Sequence, residues 1–264
     1  VRRGGTMLGD VVGLGKTLTA VATALMLQAA EDYTTLVLCP KNLESMWQEH
    51  LDAYGVEGAR VVPYSMADKV LPDLKLYKLV ICDESHNLRN DTTRAHEAIS
   101  EYVRRNSSKV LLLTATPYNL AFADVANQLA LYIEEDEDLG IVPSAAMAKD
   151  HTLADKVDGK TNTLVAFKRS EESDDWRRLM SDHLVRRTRS FIKKSARKKA
   201  VTMPDGTTQE REYLTFADGT EFFFPTRVPH PLTHAFGKKD PAALMEDDTT
   251  LDAIAKLTLP RYRL

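Results

Sequence analysis

The chain is short of cysteine, of long apolar runs and of net charge, and each shortage removes a class of protein. Only two cysteines occur in 264 residues, Cys39 and Cys82. That is too few for a disulfide framework, and each closes an apolar run of strand length, so both read as reduced core thiols of a cytoplasmic protein. No stretch approaches the roughly 18 consecutive apolar residues needed to span a bilayer, and the opening VRRGG is not followed by a signal-peptide core. A formal net charge of −3 advertises no globally basic surface for nucleic acid. The charge is unevenly placed, however. Glu134 to Asp138 is an acidic cluster, and Arg186 to Lys199 holds eight cations and no acid. Such a basic stretch suits either contact with a phosphate backbone or a solvated face, and the residues alone leave both open.

What is present is an alternation of strand and helix patterns. Apolar runs near residues 6–8, 35–39, 60–62, 79–82 and 110–113 predict strands, with helices between them at about 16–29, 43–54 and 92–104. This is the order of an α/β protein with a parallel sheet covered by helices on both faces. Thr17, Ala20, Val21, Ala24 and Leu25 recur at helical spacing, as do Leu43, Met46, Trp47, His50 and Leu51, which makes Trp47 a core residue of its helix. After Leu131 the periodicity weakens, and residues 134–175 read as helical fragments and loops. Asp205-Gly206 and Asp218-Gly219 are turn signals, and the second predicts a β-hairpin over residues 212–224 in which Phe222 to Phe224 need cover.

Chemistry gathers at the strand ends. GTMLGDVVGLGKT, Gly5 to Thr17, is a short strand, a glycine-rich turn and Lys-Thr at the start of a helix. Gly13 and Gly15, with Leu14 between them in the binding turn, let the backbone approach the phosphate oxygens of a nucleoside triphosphate, the helix dipole points at them, Lys16 reaches the β and γ phosphates, and the Thr17 hydroxyl reaches Mg²⁺. Asp10, also counted in the ATP site, stands where the strict G-x-x-x-x-G-K-[ST] pattern has its first glycine. The run KLVIC ends in Asp83-Glu84-Ser85-His86, an acidic pair at the carboxyl end of a buried strand. Asp83 is placed to hold the magnesium and Glu84 to orient and deprotonate an attacking water. A third strand closes in Thr114-Ala115-Thr116-Pro117, whose hydroxyls can bond neighbouring acids or histidine.

The ordered set LGDVVGLGKT, LVLCPKNLESMWQEHL, VVPYS, LVICDESHNLRN, LLLTATPYNL and LVRRTRSFI resembles the first motor lobe of superfamily-two helicases, and within them the Swi/Snf-type DNA translocases. The likeness covers Gly4 to Leu120 and, more thinly, Leu184 to Ile192. It implies a RecA-like lobe of the P-loop NTPase class using ATP and Mg²⁺. It further implies that His86 connects the nucleotide site to Thr114 and Thr116, which couple nucleotide state to DNA grip, and that Lys41 and Asn42 face duplex DNA. Two departures stand out: many members have Asp-Glu where this chain has Asp10-Val11, and Ser85 replaces the alanine of the usual DEAH box. The finer likeness is to bacterial and archaeal members, including RapA-type and phage-defence ATPases.

The expected organisation is a RecA-like lobe over residues 1–133, a helical insertion with the basic stretch over 134–200, and an extension with a hairpin over 201–264. A motor of this kind closes two such lobes over ATP, the second supplying an arginine. No second lobe fits after residue 230, so the chain is expected to be part of a longer polypeptide and inactive by itself. The alternatives are a DExH-type RNA helicase and a nucleotide-gated scaffold without turnover.

Overall fold

The computed structural model describes residues 4–117, 122–188, 194, 196–202, 208–215 and 219–223. Tyr118-Asn119-Leu120, residues 189–193 and Ser195 of the basic stretch, Asp205-Gly206, Asp218, Phe224 and the side chain of Phe222 lie outside the described residues. The chain divides into two compact units, Val1–Ala196 and Arg197–Leu264.

The first unit is built on a six-stranded sheet of β1 (Gly5–Leu8), β2 (Thr35–Cys39), β3 (Arg60–Pro63), β4 (Leu79–Asp83), β5 (Lys109–Leu113) and β6 (Leu184–Val185). The strand order is β3-β2-β4-β5-β1-β6, and every pairing is parallel. β2 and β4 are buried along their whole length, which is why they read as continuous apolar runs without alternation. Successive strand residues point to opposite faces, and the two faces feed two cores. Val37, Cys39, Leu79, Ile81, Leu111 and Leu113 pack with Ala20, Val21 and Ala24 of α1 (Lys16–Glu31) and with Trp47 and Leu51 of α2 (Glu44–Ala53). Leu36, Leu38, Val80, Cys82, Val110 and Leu112 pack with Ile99, Tyr102 and Val103, which lie beyond the short helix α3 (Ala67–Val70) on α4 (Arg94–Asn106). Thr93 caps α4 by accepting a hydrogen bond from His96 N at 3.3 Å, so the helix begins at Arg94, two residues after the sequence places its start. The α/β parallel sheet with helices on both faces is therefore the observed fold.

The same core takes in α5 (Ala123–Leu129), whereas the next two helices, α6 (Ser144–Lys149) and α7 (Leu153–Lys156), pack with Ala166 of α8 (Leu164–Lys168) in a small cluster of their own, and α8 and α9 (Ser173–His183) give Leu164, Phe167, Trp176 and Leu179 to the main core. Trp176 of α9 stacks on Phe122 with centroids 5.5 Å apart and meets Phe167 edge-on at 6.1 Å. The buried Asp175 carboxylate accepts hydrogen bonds from Ala145 N and Ala146 N, each at 2.9 Å, and from Ser170 Oγ at 2.7 Å. α9 leads into β6, which sequence periodicity misses because two residues carry no period. β6 lies beside β1, and Gly9 N donates to Val185 O at 2.8 Å. A Cβ on Gly9 would sit 2.6 Å from Leu184 Cδ1, the end of a side chain that would have to turn aside to admit it.

The second unit is an antiparallel sheet, β7-β8-β9, of β7 (Arg197–Thr202), β8 (Thr208–Thr215) and β9 (Glu221–Phe223). The expected hairpin is present as β8–β9, with Tyr213 opposite Phe223. Its partner β7 comes from the basic stretch and is a strand, which the charge run concealed: Lys198 pairs with Glu210 of β8 at 3.3 Å and Lys199 with Glu221 of β9 at 2.8 Å, so acids of the same sheet offset both cations. Among the described residues, no helix is long and apolar enough to cross a membrane.

Candidate nucleotide site

Register brings the motifs together. Leu8 of β1 and Asp83 of β4 both lie opposite Leu113 of the intervening β5, so three strands end at one level. The glycine turn, the acidic pair and the TATP segment consequently leave the sheet along one carboxyl edge, where parallel α/β sheets place ligand chemistry.

The turn after β1 is open on its inner face. Gly13 and Gly15 have φ of 85° and 73°, and no atom lies within 4 Å of where a Cβ would stand on either. Gly15 is the N-cap of the 16-residue α1, with no side-chain cap and no acid in the first turn. No carboxylate of the helix's own first turn thus opposes its positive end. Lys16 Nζ donates to Asp10 O at 3.0 Å, and Thr17 sits half-buried in the same first turn. Leu14 closes the turn by donating its N–H to Val11 O at 3.2 Å. The Asp10 side chain turns inward and is completely buried. Its carboxylate accepts from Arg187 N at 2.6 Å, from Arg187 Nε at 2.8 Å and from Arg187 Nη2, and that last nitrogen also donates to Thr19 Oγ1 at 3.2 Å.

Across the edge, Asp83 Oδ2 accepts from Trp47 Nε1 at 2.8 Å and Oδ1 from Glu84 N at 2.9 Å, while Tyr64 Oη donates to Asp83 O at 2.7 Å. Burial pushes the Asp83 carboxyl above its ordinary range, and the bonds from Trp47 and Glu84 N and the nearby Lys16 charge pull it back. Trp47 is the core residue its helical stripe predicts, yet its indole N–H also reaches the acid. A buried tryptophan needs a partner for that N–H, and this was the only signal of the contact in the sequence.

Glu84 has φ of 50°, the left-handed region that costs a non-glycine residue about 1–3 kcal/mol and concentrates at functional sites. Its carboxylate lies 3.2 Å from His86 Nδ1, which is 3.5 Å from Thr114 Oγ1, and that hydroxyl accepts from Thr116 N at 3.1 Å. The box and the strand-end threonines are thereby linked in this structure. A second, buried link was not legible: Ser85 Oγ donates to Gln128 Oε1 at 2.8 Å, and Gln128 Nε2 donates to Pro117 O at 2.6 Å and Asp124 O at 2.9 Å.

Lys41 and Asn42 are exposed on the 3-10 turn Lys41–Leu43 that follows β2, and Lys41 pairs with Glu44. Cys39 and Cys82 are free and buried, and burial pushes the Cys39 thiol up to about 12 and that of Cys82 higher still, so neither is a nucleophile. Among the described residues no group of three or more His, Cys, Asp or Glu can hold a metal ion.

No family model matches the chain. The chain is 30% identical over 148 residues to an uncharacterized ATP-dependent helicase, YqhH, of Bacillus subtilis, covering 48% of this chain and 26% of that protein. It is 25% identical over 244 residues to the SWI/SNF-related matrix-associated actin-dependent regulator of chromatin subfamily A-like protein 1 of Xenopus laevis, covering 83% of this chain and 24% of that protein. It thus spans about a quarter of the length of either relative. The fold matches the SWI2/SNF2 ATPase core of Sulfolobus solfataricus, solved in complex with dsDNA, with a TM-score of 0.50 at 21% identity over 70% of this chain and 40% of that one.

The chain is thus similar in sequence to SWI/SNF-related and RAD54B proteins, and its fold is that of a SWI2/SNF2 ATPase core. The two departures from the usual Swi/Snf pattern have different physical settings here. Ser85, in place of the box alanine, has a dedicated partner in Gln128. Val11, in place of the second acid after Asp10, leaves Asp10 as the one carboxylate in the turn, and Arg187 takes it up.

Proposed function

We propose that the first unit is the ATP-binding lobe of a DNA-dependent ATPase that moves along duplex DNA. The observation that supports this best is the common level of β1, β4 and β5, which sets Lys16 and Thr17, Asp83 and Glu84, and Thr114 along one edge. Gly13, Gly15 and the first-turn amides of α1 cradle the phosphates, and Lys16 leaves Asp10 O to meet the β and γ oxygens. Thr17 and Asp83 hold Mg²⁺, which supplies charge neutralisation on the phosphates. Glu84 orients the attacking water and takes its proton. His86 links that carboxylate to Thr114 and Thr116, and Lys41 and Asn42 contact the duplex backbone. A second RecA-like lobe of the same polypeptide contributes the arginine that stabilises the transferring phosphoryl group, so this chain alone binds ATP weakly and hydrolyses it hardly at all.

The deciding experiment is phosphate release by the full-length protein with blunt duplex DNA, with RNA and with neither. Stimulation by blunt duplex supports the translocase. Stimulation by RNA alone points to the DExH-type helicase, and no turnover under any condition points to the scaffold.

A smaller test concerns the metal side. Trp47→Phe keeps the ring in the core and deletes the N–H on Asp83 Oδ2. Occupancy of the metal site, followed as Mn²⁺ binding in the presence of ADP by electron paramagnetic resonance, is expected to weaken on the order of tenfold, the lower end for a hydrogen bond to a charged group. ADP affinity in EDTA is expected to stay unchanged. Metal affinity equal to wild type removes Trp47 from the site.

A further inference from the structure

The buried Asp10 carboxylate is the feature that phosphate binding leaves unexplained. An uncompensated negative charge at the base of a loop that receives a triphosphate opposes its ligand, and a buried one also destabilises the loop itself. We infer that Arg187 is a positioning residue for the phosphate loop: it draws the Asp10 carboxylate into the protein and neutralises it there, so that the loop presents amides and Lys16 to the phosphates. This rests on the nucleotide-binding reading above.

Three features of the geometry carry it. Asp10 is entirely shielded from solvent, and its two oxygens take three donors from one residue, the Arg187 backbone N–H on Oδ1 and Nε and Nη2 of the guanidinium on Oδ2. The same guanidinium reaches Thr19 in the first turn of α1, so it spans both ends of the loop. Lys16, the residue that must move to the phosphates, is tethered to the carbonyl of that same Asp10, which makes its resting position depend on where Asp10 is held. The segment bearing Arg187 is itself fixed to the base of the loop by the Leu8–Val185 register and the bond from Gly9 N to Val185 O. A planar guanidinium that sets two donors, Nε and Nη2, on one carboxylate oxygen suits this task, and a lysine does not supply it.

The test is mant-ATP titration of the full-length protein and four variants. Arg187→Gln strands the Asp10 charge and is expected to weaken binding at least about tenfold. Arg187→Lys, which keeps the charge but loses the fork, is expected to fall between that variant and wild type. Asp10→Asn alone is expected to weaken binding less than Arg187→Gln does, because the charge it leaves unpaired is the guanidinium, whose sign favours a phosphate. The decisive case is the double variant Asp10→Asn with Arg187→Gln, expected to recover to within about threefold of wild type, a rescue that a merely structural side chain does not produce. Melting curves accompany each titration, and a variant that fails to fold is replaced by Arg187→Lys and the double variant for the comparison. Binding by Arg187→Gln within twofold of wild type, or a double variant as weak as Arg187→Gln, overturns the assignment. Loss of binding in Lys16→Ala separately tests the parent reading: wild-type binding that is insensitive to Lys16 removes the nucleotide site, whereas Lys16-dependent binding without the rescue removes only the role of Arg187.

Discussion

Glu84→Gln in the full-length protein is expected to keep ATP affinity within about twofold of wild type while turnover falls by a factor on the order of 10² to 10⁴, the range for losing general-base help. Glutamine retains the length and shape of glutamate and an oxygen for the contact with His86, so the left-handed turn at residue 84 and the link to Thr114 survive the change. What is lost is the ability to take a proton from water. Asp83, one residue earlier, lies almost wholly inside the protein with both oxygens already hydrogen-bonded, and cannot stand in as the base. Lys16→Ala divides the effects the other way, weakening nucleotide binding itself because the removed ammonium bears on the phosphates in ground and transition state alike. Mant-ATP titration and single-turnover phosphate release on the same samples separate the two. Wild-type turnover in Glu84→Gln would falsify the assignment of the base.

The placement of the candidate site was legible in the sequence wherever it follows from residue type at a strand end, and illegible wherever it depends on a distant partner. Gly13, Gly15, Lys16 and Thr17 sit at a turn that the apolar run before it and the helical stripe after it already frame. The same holds for Asp83 and Glu84, because β4 is buried on both faces and its end is marked by the change from apolar to acidic. By contrast, Trp47 meets Asp83 across 36 residues, Ser85 meets Gln128 across 43, and Arg187 meets Asp10 across 177. No periodicity links such pairs, and they became visible only once parallel pairing brought the carboxyl ends of the strands together. The two missed strands show the same limit at the level of fold. β6 is too short to carry a pattern, and β7 is stabilised in part by acids that belong to β8 and β9.

The helical region after β5 offers a test of stability with no expected effect on chemistry. Asp175→Ala removes the acceptor for the backbone amides of Ala145 and Ala146 and for the buried Ser170 hydroxyl. The first turn of α6 then loses its anchor to α9, and the partners left behind have no water to turn to at the most enclosed of these positions. Each buried donor left without an acceptor costs about 1–3 kcal/mol, so the variant should lose about 3–5 kcal/mol, a drop in melting temperature on the order of 10 °C for a unit of this size. Asp175→Asn is expected to fall between the two, since one amide oxygen still accepts while the new NH₂ group opposes a backbone donor. Circular dichroism melts measure the loss, and mant-ATP titration well below the transition should return wild-type affinity, because none of these groups touches the phosphate loop or the acidic pair. An Asp175→Ala protein that melts within about 2 °C of wild type would mean that α6 finds other acceptors and that the carboxylate is dispensable to the packing of α9 against the core.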